Sequence, residues 1–134
     1  MTSMDQANRF KAQLWAGRVL SVLVTAAFLG SALSKLAHVA KVVEELTRAG
    51  IPEMAIVPIG ILELSCLTLY LFPRTSILGT FLLTGYMGGA IVTHIIGRQS
   101  FLPPLIVGTL MFASAYLRHP ELRDFVPYWK LARR

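Results

Sequence analysis

Charge is scarce in this 134-residue chain, and acidic charge is scarcer still: 13 Lys and Arg stand against 7 Asp and Glu, 15% in all. An ordinary soluble domain carries about 25%. Cysteine is rarer again, since Cys66 stands alone. One thiol excludes an internal disulfide, a Cys-x-x-Cys redox centre and a cysteine-rich zinc site. The low hydropathy and high charge that keep a chain disordered are also missing. What fills the space is apolar, 54% of residues, with a mean hydropathy of +0.60. These residues lie in long blocks, which points to lipid as the surrounding solvent.

Four blocks reach or approach the roughly 20 apolar residues that a membrane helix needs. They cover about residues 17–37, 55–72, 76–97 and 101–117. Pro73-Arg74-Thr75 closes the second block, and Arg118, His119 and Pro120 stop the fourth. Pro103 and Pro104 suit a first helical turn, where the missing N–H groups have no partner to lose. None of the blocks shows the strict alternation of a barrel strand, so helix is the state that satisfies the backbone in lipid. The predicted fold is all-α, an integral-membrane four-helix bundle forming one domain over residues 1–134. The first block is not read as a cleaved signal peptide. Its apolar core is about twice the usual 7–15 residues, and Lys35 stands where a small cleavage-site residue is wanted. It reads as a retained helix with a short amphipathic lead-in.

Basic residues orient the bundle. Arg9, Lys11, Arg18, Arg74, Arg118, Arg123, Lys130, Arg133 and Arg134 fall on one side, against Lys41, Arg48 and Arg98 on the other. Short loops rich in Lys and Arg mark the cytoplasmic side, which places both termini in the cytoplasm. The same rule, with anionic head groups as partners, accounts for the net +6 without nucleic acid. On the outer side, Val39, Val42, Val43 and Leu46 recur at helical spacing, with Gly50 and Pro52 as stop signals. The spacing predicts an amphipathic helix over about 38–48, either lying on the membrane surface or packed over the bundle mouth.

Beneath that cover lie three ionisable residues from three blocks: Lys35, Glu63 and His94. Ser31, Ser34, Lys35 and His38 share one helical face. Glu63 falls about 12 Å inside its helix at 1.5 Å per residue. Thr93 adjoins His94, and Tyr86 lies two turns below it. A lone charge at such depth costs at least a few kcal/mol, so these side chains are predicted to face the interior and pair. Lys35 with Glu63 is the expected pair, with His94 hydrogen-bonded nearby and Ser31, Ser34, Tyr86 and Thr93 as polar lining.

Each of these residues also has a purely structural explanation. Lys35 can snorkel to the head groups from its terminal position. Glu63 can serve as one half of a helix-to-helix ion pair, and His94 as a satisfied interfacial histidine. A bis-histidine haem has little support, because His38 sits in the loop and His119 on the opposite side. Three mixed ligands make no better metal site, so no metal is expected. Gly85 and Gly89 form a small-xxx-small spacing, widened by Gly88 and Ala90, which suits close helix packing within the bundle or in a dimer. Cys66 and Tyr70 continue the Glu63 face, and Cys66 reads as an inert apolar filler.

Several runs carry a resemblance. Gly30-Ser31-Ala32-Leu33-Ser34-Lys35-Leu36 resembles the first-helix signature of the DoxX-like family of small four-helix bacterial membrane proteins. Pro58-Ile59-Gly60-Ile61-Leu62-Glu63-Leu64 is similar to its glutamate-bearing second helix. The nearest likeness is the run from Gly85 to His94, followed by Pro103-Pro104, and the ending Leu117-Arg118-His119-Pro120-Glu121-Leu122-Arg123 is similar to the family's tail. The resemblance covers about residues 17–127 and implies a multi-pass protein of the bacterial cytoplasmic membrane. The wider clan includes subunits of thiosulfate:quinone oxidoreductase, a membrane partner of redox-stress enzymes and a eukaryotic assembly chaperone for receptor channels.

Three roles follow as expectations. The first is a redox-linked subunit holding a quinone-like ring, with Lys35 and His94 at the ring carbonyls and Glu63 exchanging protons. The second is an assembly or chaperone-type factor whose polar interior only fixes helix register. The third is a small proton-coupled exporter using Glu63, which is weakened by the clustering of the polar groups toward one side. Nothing in the sequence supplies an obvious electron carrier. The expected role is therefore that of an accessory membrane protein tied to a redox or quinone process, working with a protein partner or as a homo-oligomer.

Overall fold

A computed structural model describes residues 3–119 and Leu122. Pro120 and the tail residues Arg123, Lys130, Arg133 and Arg134, used above as stop and orientation signals, lie outside the described residues. Among the described residues five helices form: α1 Ser3–Leu36, α2 Ala40–Arg48, α3 Glu53–Leu71, α4 Ser76–Ile96 and α5 Leu102–Arg118. No strand occurs among the described residues.

The first helix differs from expectation at its start. The lead-in does not precede the helix but continues it back to Ser3, giving 34 residues and a length of about 51 Å. From Ser3 to Ala16 there is no glycine or proline, and Ala, Gln, Lys, Leu and Met favour helix, so nothing interrupts the backbone. Burial begins only at Gly17.

Among the described residues three helices are long and apolar enough to cross a membrane, namely Ala7–Leu36 within α1, α3 and α4, while α5 is apolar over 17 residues. Their outward faces carry Val22, Leu23, Ile61, Leu62, Phe81, Val92 and Ile95, all exposed. Such a surface suits lipid and would be a liability in water. Exposed hydroxyls on these faces are satisfied locally, as when Ser65 donates to Ile61 O and Thr109 to Leu105 O, both at 2.8 Å. In hydrocarbon that i−4 bond replaces the missing water.

The four long helices close into a ring in the order α1, α3, α4, α5, with α4–α5 the loosest seam. At one end of the ring α5 is tied to α1, where Ser114 Oγ donates to Gly17 O at 2.8 Å. The short helix α2 packs on α1 and α3 at the other end. Val24, Phe28, Leu67, Leu83 and Met111, each no more than 2% exposed, fill the centre.

Close helix approaches occur at glycines, though not at the expected ones. A Cβ on Gly79 would overlap the Tyr70 backbone nitrogen and Cα, so α3 and α4 touch backbone to backbone just after their turn. Gly17 plays the same part between α1 and α5, and Gly60 between α1 and α3. Gly85, Gly88 and Gly89 meet nothing within 4 Å and leave an open strip on α4. The small-xxx-small spacing therefore does not pack the interior of this chain.

Candidate functional site

Lys35 and Glu63 meet. Lys35 Nζ donates to Glu63 Oε2 at 2.9 Å and to Ser31 Oγ at 2.6 Å, one turn back on its own helix. Tyr86 Oη donates to the same Oε2 at 2.8 Å. Glu63 is 1% exposed and Lys35 8%, so Lys35 does not snorkel away. Burial of a carboxylate at this depth is tolerable because its charge is paired and doubly hydrogen-bonded; removing one partner of such a pair costs about 3–5 kcal/mol.

Three local features build the cluster. Gly60 lies one turn before Glu63, and a Cβ there would come within 3.1 Å of Lys35 Cβ and 3.3 Å of Ala32 O. The missing side chain brings α1 close enough for the lysine to reach across. Lys35 then follows the helical habit of leaning toward the N-terminus, which delivers its ammonium to Ser31. Finally, Phe28 packs on Tyr86 with ring centroids 6.4 Å apart and a 56° tilt, steadying the phenol over the carboxylate.

These side chains border a cavity of about 350 Å³ lined also by Phe28, Ile59, Met87, Pro103, Pro104 and Val107. Leu46 of α2 and Ile51 close it from the α2 end. The roof is seated by the end of α2: a Cβ on Gly97 would lie 3.4 Å from Ala49 Cβ, and Ala49 is buried. Of the expected residues, Ser31, Lys35, Glu63, Tyr86, Thr93 and His94 all line this cavity. Ser34 does not; it lines a smaller adjoining recess with Val42, Glu45 and Gln99, and its hydroxyl donates to Gly30 O at 2.7 Å.

His94 is hydrogen-bonded within its own helix. Its Nδ1 bonds Ala90 O, the i−4 carbonyl, at 2.8 Å and does not join the ion pair. A carbonyl only accepts, so Nδ1 carries a proton, and in the neutral form of the ring Nε2 is an acceptor. His38 stands apart at the end of α1, with Nδ1 3.8 Å from Glu53 Oε1 at the surface. Among the described residues no three His, Cys, Asp or Glu side chains gather as a metal site.

A second polar cluster lies at the opposite end of the ring. Tyr70 Oη donates to Ser114 Oγ at 3.0 Å, the Arg118 guanidinium lies 4.6 Å from the Tyr70 ring centroid, and His119 Nε2 is 3.0 Å from Ser76 Oγ. Sequence spacing put Tyr70 on the Glu63 face but carried no signal for these partners, which come from the start of α4, from α5 and from His119 just after it. The apolar centre of Phe28, Leu67, Leu83 and Met111 separates the two clusters.

A family model, that of the DoxX-like family, matches residues 19–115. No curated protein and no solved structure matches the chain.

Proposed function

The chain belongs to the DoxX-like family, and from that membership and its polar cavity we propose that it is an accessory membrane protein of a redox or quinone-associated process. The observation that carries the proposal is the position of the Lys35–Glu63–Tyr86 cluster on the wall of a largely apolar cavity. An ion pair that served only as a helix clamp would gain nothing from adjoining open space. Polar groups converging on an apolar pocket are the usual form of a small-molecule site.

The donor and acceptor inventory sharpens the ligand. Lys35 commits two short hydrogen bonds, to Ser31 and Glu63, and reaches Ser31 O only at 3.4 Å. Its third N–H suits a ring oxygen. With Nδ1 donating to Ala90 O, His94 in its neutral form offers Nε2 as an acceptor and so favours a ring hydroxyl over a ring carbonyl. The set fits an aromatic ring bearing hydroxyls, the reduced form of a quinone, better than the dicarbonyl form. A bound quinone would supply two-electron redox chemistry; Lys35 would orient it, Glu63 and His94 would hold or accept its protons, and the apolar walls would exclude water.

Four spans with both termini in the cytoplasm of a bacterium complete the proposal. At 17 residues, α5 measures about 26 Å, within the few ångströms by which a bilayer of roughly 30 Å adapts. A protein partner or a second copy is part of the same proposal. The exporter alternative gains no support, since the two polar clusters are separated by the apolar centre. The assembly-factor alternative draws on the satisfied ion pair alone.

The test is to purify the protein in mild detergent and measure ring ligand and protein partners on the same folded variants. His94→Gln keeps polarity and fold and retains some ligand, whereas His94→Leu loses it. If the wild type retains no ring ligand while both variants recruit the partner normally, the ring site is wrong and the assembly role stands.

A further inference from the structure

Two residues belong to two spaces. Met87 and Pro104 line the polar cavity and also a groove of about 700 Å³ on the outside of the α4–α5 seam. The groove floor is apolar, including Gly88, Gly108, Phe112 and Ala113. Gly88 is open, with nothing within 4 Å of a Cβ, and α4–α5 is the loosest seam of the ring. At Gly108 the absent side chain admits Met87, whose Cγ would lie 3.3 Å from a Cβ there. The partition between cavity and groove is thus one unbranched, flexible methionine beside a proline.

We infer that the cavity is entered sideways from the bilayer through the α4–α5 seam, and that its ligand carries a long alkyl or prenyl tail that lies in the groove. This rests on the ring-site proposal and adds the tail and the route. A cavity of about 350 Å³ holds a substituted ring, while a chain of ten or more carbons needs an exit. The groove is continuous with the cavity through shared residues, matches the tail in polarity, and opens where membrane-dissolved molecules are found. Entry by this route leaves the α2 roof and the ion pair undisturbed.

The test uses two probes, a benzoquinol bearing a decyl chain and the same ring without it, titrated against immobilised protein in detergent. The wild type binds both. Gly88→Leu fills the groove from an open position and weakens the decyl compound by about tenfold, leaving the short ring unchanged. Gly85→Leu, on the same helix at an equally open position that lines neither space, changes neither. A photoreactive group at the chain end labels α5 around Thr109 to Ala113 and α4 around Thr84. Equal effects of Gly88→Leu on both probes, wild-type binding of the short ring only, or labelling on the α1–α3 side would overturn the sideways route while leaving the ring site intact. Absence of wild-type binding for both probes would sink the ring site and this inference together.

Discussion

The side chains that matter most here are those whose charge could not be left alone. Lys35 and Glu63 were legible as a pair because a lone charge in lipid is costly, so two of opposite sign near one depth are expected to meet. Tyr86 was readable as lining but not as the second donor to Glu63, since spacing along α4 does not say which atom of α3 it reaches. His94 was legible as hydrogen-bonded but its partner, the Ala90 carbonyl, was not, since a local carbonyl competes with any distant group. Lys35→Met or Glu63→Leu alone is expected to cost about 3–5 kcal/mol, and the double variant to recover part of that loss. Strictly additive losses in thermal unfolding in detergent would contradict the pairing. Tyr86→Phe removes one hydrogen bond and is expected to cost less, about 1 kcal/mol. A different residue-level cost sits at the α2 end. Arg98 adopts a φ of 55° at the end of α4, where Gln99 N bonds His94 O at 2.8 Å. This is the left-handed cap that favours glycine. Arg98→Gly is expected to stabilise by roughly 1 kcal/mol, read as a raised unfolding temperature; an unchanged or lowered temperature would count against strain at this cap.

Helices were legible as apolar blocks, and their pairing was not. The blocks announce helix because lipid leaves the backbone no other partner, but glycines that pack and glycines that face outward look alike in sequence. Gly79 and Gly85 make the contrast testable. Gly79→Ala forces a Cβ into the Tyr70 backbone and is expected to open the α3–α4 turn, with a large loss of thermal stability. Gly85→Ala meets nothing and is expected to be neutral or to stabilise by up to about 1 kcal/mol through helix propensity. Comparable losses in both variants would contradict this assignment of contacts. The length of α1 escaped the sequence for a related reason. Hydropathy marks where lipid begins, whereas the helix ends only where a residue stops it, and none does before Ser3. The cover helix showed more plainly, because its apolar residues repeat at helical spacing and Gly50, at a φ of 85°, supplies its stop.

Taken whole, the molecule is an apolar ring with a satisfied ion pair at the wall of a cavity near one end. Orientation rests on basic residues, several of them outside the described segment, so it is tested separately. Reporter fusions at both termini are expected to be active only with cytoplasmic reporters, and a translocated C-terminus would defeat the four-span proposal. The central claim, that the Lys35–Glu63–Tyr86 cluster is a ligand site and not only a clamp, needs a variant that removes the charges without orphaning either. Lys35→Met combined with Glu63→Leu does so. The most direct measurement is a binding titration of the tail-less benzoquinol against wild type and this double variant, both confirmed as folded in detergent. Saturable wild-type binding, weakened about tenfold or more in the double variant through lost charge-assisted hydrogen bonds, is the expected result. Equal binding by the two proteins, or none that saturates in the wild type, would contradict it.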